Sequence, residues 1–163
     1  MQVSTLAYDD YIGRLGIGRV YQGRLKANQE VSYCRFDGQI VNAKIGKIYV
    51  YRGIKRVPVD EITSGDIAVI SGIPSISIGE TICERNNPIP LELIPIEEPT
   101  LSMDFCVNTS PFAGKCKKSK FLTTLQIKAR LLKELEVNVG MRVEDNLTTE
   151  SFKVSGRGEL HLS

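Results

Sequence analysis

Tryptophan is absent from these 163 residues, histidine occurs once, and aromatic side chains make up only 7% of the chain. With one imidazole, there is no histidine pair to relay protons. No catalytic carboxylate or nucleophile constellation follows His161, so it is expected to pack a helix onto a sheet rather than act as a general base. The four cysteines, Cys34, Cys83, Cys106 and Cys116, include no C-x-x-C pair. Zinc sites draw their ligands from closely spaced pairs, so no metal site is expected. A basic-then-apolar leader is missing, and no apolar run approaches the ~18–20 residues of a membrane span. The sequence therefore predicts a cytoplasmic chain with reduced thiols and no membrane partner. Charge of one sign is also scarce. Lys and Arg exceed Asp and Glu by 21 to 19, a net +2 that does not by itself indicate nucleic acid.

What is present divides into two patterns. Up to about residue 90, short apolar segments alternate with turn residues: Gln2–Tyr8, Arg14–Leu25, Glu30–Phe36, Gln39–Tyr51, Val57–Ile62, Asp66–Ser71 and Glu80–Cys83. Asp37-Gly38 stands between two of them, and Asp-Gly between apolar runs is a strong hairpin signal because the turn needs positive φ. Short strands at about 8–12-residue spacing predict a mostly β domain closed into a barrel. Then Pro88, Pro90, Pro95 and Pro99 crowd the chain, which excludes a helix interior or a central strand. This places a domain boundary near residue 95, giving units 1–95 and 96–163.

The second unit reads β-α-β-β followed by the opening of a helix. Thr100–Asn108 is a strand and Ser110–Lys120 a lysine-bearing loop. Thr123–Val137 is a helix with Thr123 and Gln126 spaced for a capping box. Leu125, Ala129 and Leu132 form one stripe of that helix, widened by Ile127, Leu131 and Leu135, and the first stripe, Leu132 included, is expected to be core. Met141–Asp145 and Phe152–Ser155 form a hairpin. Glu159-Leu160-His161-Leu162 starts a helix that runs for about one turn, too short to be stable alone. A ferredoxin-like α+β domain has one more helix and strand, so the domain is expected to be truncated at its C-terminus.

Three groups of residues carry a family resemblance. Gly18-Arg19-Val20-Tyr21-Gln22-Gly23-Arg24-Leu25-Lys26 resembles the G-R-V-x-x-G-x-(I/L)-K hairpin in the second domain of translational GTPases. Gly65-Asp66-Ile67 with Gly72, and Gly79-Glu80-Thr81-Ile82, are similar to later strands of that domain. Ser155-Gly156-Arg157-Gly158-Glu159-Leu160-His161-Leu162 resembles the S-G-x-G-E-L-H-L motif of the elongation factor G branch. Within it, Glu98-Pro99-Thr100-Leu101-Ser102-Met103 and Asn108-Thr109-Ser110-Pro111-Phe112-Ala113-Gly114 are most similar to the TypA/BipA family. Asn28 stands where the family usually has Gly. Asn is the non-glycine residue that best tolerates left-handed φ, so the turn is expected to survive.

The resemblance implies domains II and III of a TypA/BipA-like protein whose GTPase domain lies N-terminal to this chain. GTP and Mg²⁺ belong to that missing domain, and no cofactor is expected here. The implied partners are the ribosome, through its RNA and proteins, and the chain's own GTPase domain. The implied function is a non-catalytic module for ribosome binding and interdomain relay. Alternatives are a structural spacer that braces the GTPase domain, or the same region of another elongation factor G-like protein.

Two clusters are candidate RNA contacts. Lys115, Lys117, Lys118 and Lys120 can neutralise phosphates without reading sequence, or stand as a solvated loop. Cys116 among them has cationic neighbours that favour thiolate. Arg157, between two glycines, either helps bind an anion or marks a tight strand-to-helix turn. Arg52, Lys55 and Arg56, interleaved with Tyr49 and Tyr51, are candidates for contact with RNA or with the GTPase domain.

A phosphate loop G-x-x-x-x-G-K-(S/T) occurs nowhere: Ile48 follows Gly46-Lys47, and Cys116 follows Gly114-Lys115. Without its backbone cradle and its hydroxyl for Mg²⁺, nucleotide binding is not expected. Asp10-Tyr11-Ile12-Gly13 matches the bare D-x-x-G pattern of a magnesium switch, a chance match in a chain with 14 glycines. Titration with fluorescent GTP or GDP should show no saturable binding, and micromolar affinity would refute the assignment of domains.

Overall fold

The computed structural model describes residues 1–111, 123–146 and 151–162. The chain folds as two compact units, Met1–Pro95 and Ile96–Ser163.

The first unit is all β. Its strands are β1 (Gln2–Asp9), β2 (Gly13–Arg19), β3 (Arg24–Lys26), β4 (Glu30–Cys34), β5 (Ile40–Lys44), β6 (Ile48–Arg52), β7 (Lys55–Val59), β8 (Glu61–Thr63), β9 (Ile67–Ile70) and β10 (Thr81–Glu84). Eight of them make one antiparallel sheet in the order β5-β4-β10-β1-β2-β9-β6-β7, while β3 and β8 pair separately. All surround one core that includes Val3, Leu25, Val31, Ile45, Ile48, Ile62, Ile70 and Ile82.

The expected closed barrel is not what the hydrogen-bonded ladder makes. Among the described residues the sheet keeps two free edges, β5 and β7. Beyond β5, the backbone turns away to other partners: the Ile45 amide donates to the Gln29 carbonyl at 2.9 Å and the Gly46 amide to Ser71 at 2.8 Å. Beyond β7, the Asp60 carbonyl accepts from the Ala27 amide at 2.9 Å. Pro58 lies on edge strand β7, where its missing N–H removes no ladder bond.

Three expected strands are broken for the same reason, that their backbone groups bond elsewhere. Arg14–Leu25 divides into β2 and β3, Gln39–Tyr51 into β5 and β6, and Val57–Ile62 falls across β7 and β8. The segment resembling the family hairpin is therefore no hairpin in pairing: β2 pairs with β1 and β9, and β3 with β8. Asn28 does adopt the left-handed conformation, at φ 62°, and is the one non-glycine among the described residues to do so. The Asp37-Gly38 turn joins β4 to β5, closed by the Arg35 amide donating to the Gln39 carbonyl at 2.8 Å.

Gly18 controls how β2 meets β1. A Cβ there would lie 1.8 Å from the Gln2 carbonyl oxygen, so only glycine fits. The register shifts between Val3 and Thr5 on the facing strand, a bulge that bends the pair. Across the sheet, Glu80 is buried at 2% exposure. It accepts the Ser77 amide at 2.9 Å and lies 3.9 Å from Arg35 Nε. Burial raises its pKa. A carboxyl shifted this way contributes most to stability at low pH, and that contribution is lost as pH rises through its folded-state value.

The second unit contains β11 (Leu101–Phe105), α1 (Thr124–Leu135), β12 (Arg142–Asn146), β13 (Ser151–Gly156) and α2 (Glu159–Leu162). The sheet order is β11-β13-β12, antiparallel throughout, so β11 and β12 run parallel with β13 between them. Thr123 caps α1 through a reciprocal capping box. Its hydroxyl accepts the Gln126 amide at 3.4 Å, and its own amide donates to Gln126 Oε1 at 3.2 Å.

The buried face of α1 is narrower than expected and leaves out Leu125 and Leu132. Leu131 is buried, and Ile127 and Leu135 pack with it against Phe105, Met141, Phe152, Val154 and Leu162. Leu125 and Leu132 are 79% and 52% exposed. Both stripes are apolar and lie about a third of a turn apart at 100° per residue, so composition alone does not choose between them. Leu131→Ala should cost about 2–5 kcal/mol. Leu132→Ala should stay within about 0.5 kcal/mol. Denaturant melts of the two variants check this, and the reverse order would mean that the faces are exchanged.

Candidate nucleic-acid interface

The tip of the β6–β7 hairpin is an exposed basic segment of the first unit. Arg52 and Lys55 are register partners, so the turn is only Gly53-Ile54. Gly53 has φ 63°, the requirement for the first central residue of a type II′ turn. This turn matches the twist of the strands and presents Ile54 at 97% exposure. The same register places Tyr51 opposite Arg56. Arg52 and Lys55 have no acidic partner among the described residues, whereas Arg56 does.

That partner is Asp9, at the end of β1. Arg56 Nη2 donates to Asp9 Oδ2 at 2.9 Å. The other oxygen, Oδ1, accepts the amides of Tyr11 at 3.1 Å and Ile12 at 3.3 Å, which closes the turn between β1 and β2. One carboxylate thus joins two hairpin ends. Tyr11, in that turn, is fully exposed. The Tyr11 amide and then the Arg56 guanidinium hold Asp9 below the usual carboxylate range.

This surface combines features that suit unpaired RNA. Tyr11 and Tyr51 offer faces for base stacking, and Arg52 and Lys55 offer charge for phosphate. An open groove of about 560 Å³ behind the hairpin is lined by Arg52 together with Glu61 and Asp66. Glu61 there is already paired with Arg24 at 3.2 Å and Lys26 at 3.8 Å, so the groove is a surface of mixed charge. Tyr21 adds a further aromatic, half exposed, with the Arg19 guanidinium 5.6 Å from its ring centre.

The remaining candidates fall elsewhere. Lys115, Lys117, Lys118 and Lys120, with Cys116, lie outside the described residues. Arg157 is exposed on the bend from β13 into α2. Its amide donates to His161 Nδ1 at 3.3 Å, and its carbonyl accepts the Thr100 hydroxyl at 3.1 Å. Its guanidinium lies against Gly140, where a Cβ would be 2.9 Å from Nε. His161 thus serves as a local acceptor that holds the bend.

Sequence reasoning missed Asp9, Tyr11 and Ile54. Tyr11 was visible only as part of a chance D-x-x-G match. The available signal was an aromatic in the short connection between two alternating strands, where side chains point to solvent. Asp9 was not legible, because its partner Arg56 lies 47 residues away.

Comparison with known proteins agrees with this architecture. Residues 13–83 match the family described as elongation factor Tu domain 2. The whole chain is 47% identical over 163 residues to the "Large ribosomal subunit assembly factor BipA" of Escherichia coli K12, covering 26% of that protein. It is 44% identical over 162 residues to the protein of the same name from Bacillus subtilis, covering 99% of this chain and 26% of that one. The Synechocystis relative is 47% identical over 162 residues, with 99% of this chain and 27% of that one covered. The chain therefore spans about a quarter of the length of the curated relatives it matches. A crystal structure of a Thermus thermophilus protein aligns with 97% of this chain and 22% of its own, at a TM-score of 0.63 and 20% identity, a likeness of fold.

The Asp9 junction has a direct spectroscopic test. Its carboxyl should titrate below the ordinary 3.8 when followed by ¹³C NMR. Because the folded-state value is depressed, the junction is intact above the ordinary value and is lost as pH falls through the depressed one. Arg56→Gln should move the midpoint only part of the way back, since the Tyr11 amide is the larger cause. Complete restoration would make Arg56 the dominant partner instead.

Proposed function

We propose, from the premise that this chain belongs to the BipA family of translational GTPases and spans about a quarter of the length of the relatives it matches, that it is their ribosome-binding and relay region. The observation that carries the proposal is identity along the whole chain with proteins named as large ribosomal subunit assembly factors. The exposed Arg52, Lys55, Tyr11 and Tyr51 supply a physically suitable surface for ribosomal RNA. The first unit is read as a domain II of the translation-factor barrel type, with the β3–β8 ribbon spanning the gap between the free sheet edges. The second is read as the opening of a ferredoxin-like domain, whose fourth strand would add to the free edge of β11.

On this reading, chemistry resides in a GTP- and Mg²⁺-binding domain outside the chain, and these residues bind and transmit. The setting would be the cytoplasm, where ribosomes are assembled. Among the described residues, no helix is long and apolar enough to cross a membrane. The competing role is a spacer that braces the GTPase domain through the β6–β7 hairpin. Ile54 favours it, since an aliphatic side chain at 97% exposure suits a protein surface better than phosphate.

Salt dependence separates the two roles. RNA binding releases counterions, with a slope of log affinity against log salt of roughly 0.7–0.9 per phosphate neutralised. Replacing Arg52 and Lys55 by Ala should flatten the slope by up to about 2 units, and replacing the four lysines at 115, 117, 118 and 120 by up to about 3. Binding to large ribosomal subunits should be measured at several salt concentrations, in the full-length parent and in this chain. Slopes unchanged in both proteins would favour the spacer.

A further inference from the structure

Cys34 ends β4, and Cys83 lies on the adjacent strand β10. The register pairs Cys34 with Thr81 and Ser32 with Cys83, so the two cysteines are diagonal neighbours on one face of the sheet. Their sulfurs are 4.0 Å apart and both are free thiols. Cys34 is 5% exposed, while Cys83 is only partly buried. The Cys83 thiol donates to the Ile89 carbonyl at 3.1 Å, in the proline-rich segment that closes the unit.

We propose that this pair is an oxidisable dithiol, closed to a reversible disulfide by a peroxide. The more accessible Cys83 reacts first. Its sulfur attacks one peroxide oxygen, the O–O bond breaks, and water leaves, giving a sulfenic acid. Cys34 then attacks that sulfur, its proton departs with the hydroxyl as a second water, and the S–S bond forms. Two thiols supply two electrons, and the peroxide accepts both. The sulfurs must close from 4.0 Å to about 2.05 Å, roughly 2 Å of approach. Because diagonal cross-strand residues lie farther apart than directly opposed ones, closure requires a small shift of β10 against β4 together with rotation of the Cys83 side chain.

The order of events follows from burial. Burial, with Cys83 close by, pushes the Cys34 thiol up to about 11, so it is a poor first nucleophile. Held against Cys83, it is well placed to attack an activated sulfur. The bond would tie β4 to β10 across a 49-residue separation. It would also remove the proton that Cys83 donates to Ile89, releasing one tether of the proline-rich segment.

Hydrogen peroxide titration of the full chain, followed by denaturing alkylation and peptide mapping, tests this. The expected product is monomeric, about 2 Da lighter, with the Cys34 and Cys83 peptides linked and released by dithiothreitol. In a Cys106→Ser/Cys116→Ser background the link should persist, and adding Cys83→Ser should abolish it. The wild-type map gives the same answer should a variant fold poorly. Links from Cys83 to Cys106 or Cys116, a gain of about 32 Da as sulfinic acid without any link, or two free thiols at a dose that oxidises Cys106 would each overturn the proposal.

Discussion

The first unit depends on how closely β1 can pass its neighbours. On one side Gly18 leaves no room for a Cβ against the Gln2 carbonyl. On the other, the Val3 amide donates to the Glu80 carbonyl at 3.0 Å, and the Gly79 amide donates to the Val3 carbonyl at 2.7 Å. The Gln2 side chain reaches the Glu92 carbonyl at 2.7 Å, so the same few residues also anchor the proline-rich segment. A side chain at position 18 would push β1 from β2 and strain the seam with β10. Val3, Val31 and Ile82 in the common core would lose their packing together.

Local physical chemistry was the legible part of the sequence. The capping box at Thr123 and Gln126, the turn at Asp37-Gly38 and the left-handed Asn28 all follow from a residue's own conformational preference. Strand boundaries were less legible, because Gly46 and Asp60 end strands through bonds to Ser71 and Ala27, which no local window contains. The expectation that Leu132 is core failed for a related reason. Two apolar stripes on α1 are equivalent until the sheet offers a surface to one of them. In the candidate interface the charges were readable, whereas the carboxylate holding Arg56 was not.

The interface gains its order from economy of contacts. Asp9 uses both oxygens, one on two amides of its own turn and one on a guanidinium from another hairpin. Exposed ion pairs add little stability, but this one fixes geometry. Among the described residues, Arg52 and Lys55 carry no such commitment. Glu61, in the groove beside Arg52, is committed in the same way to Arg24 and Lys26.

The order of strands in the large sheet has a consequence for how the chain is made. β10 is the last strand of its unit to be synthesised, yet it sits between β4 and β1 near the middle of the sheet. Gln2 meets Thr81 only after the intervening residues have been added, which takes on the order of ten seconds at ribosomal speeds of about 5–20 residues per second. Through that interval the β1–β2 and β4–β5 hairpins can form from local partners, but each holds an unsatisfied inner edge. Assembly thus ends with an insertion rather than an extension. The nascent unit must keep two preformed halves apart, and unpaired with anything else, until the strand that joins them arrives.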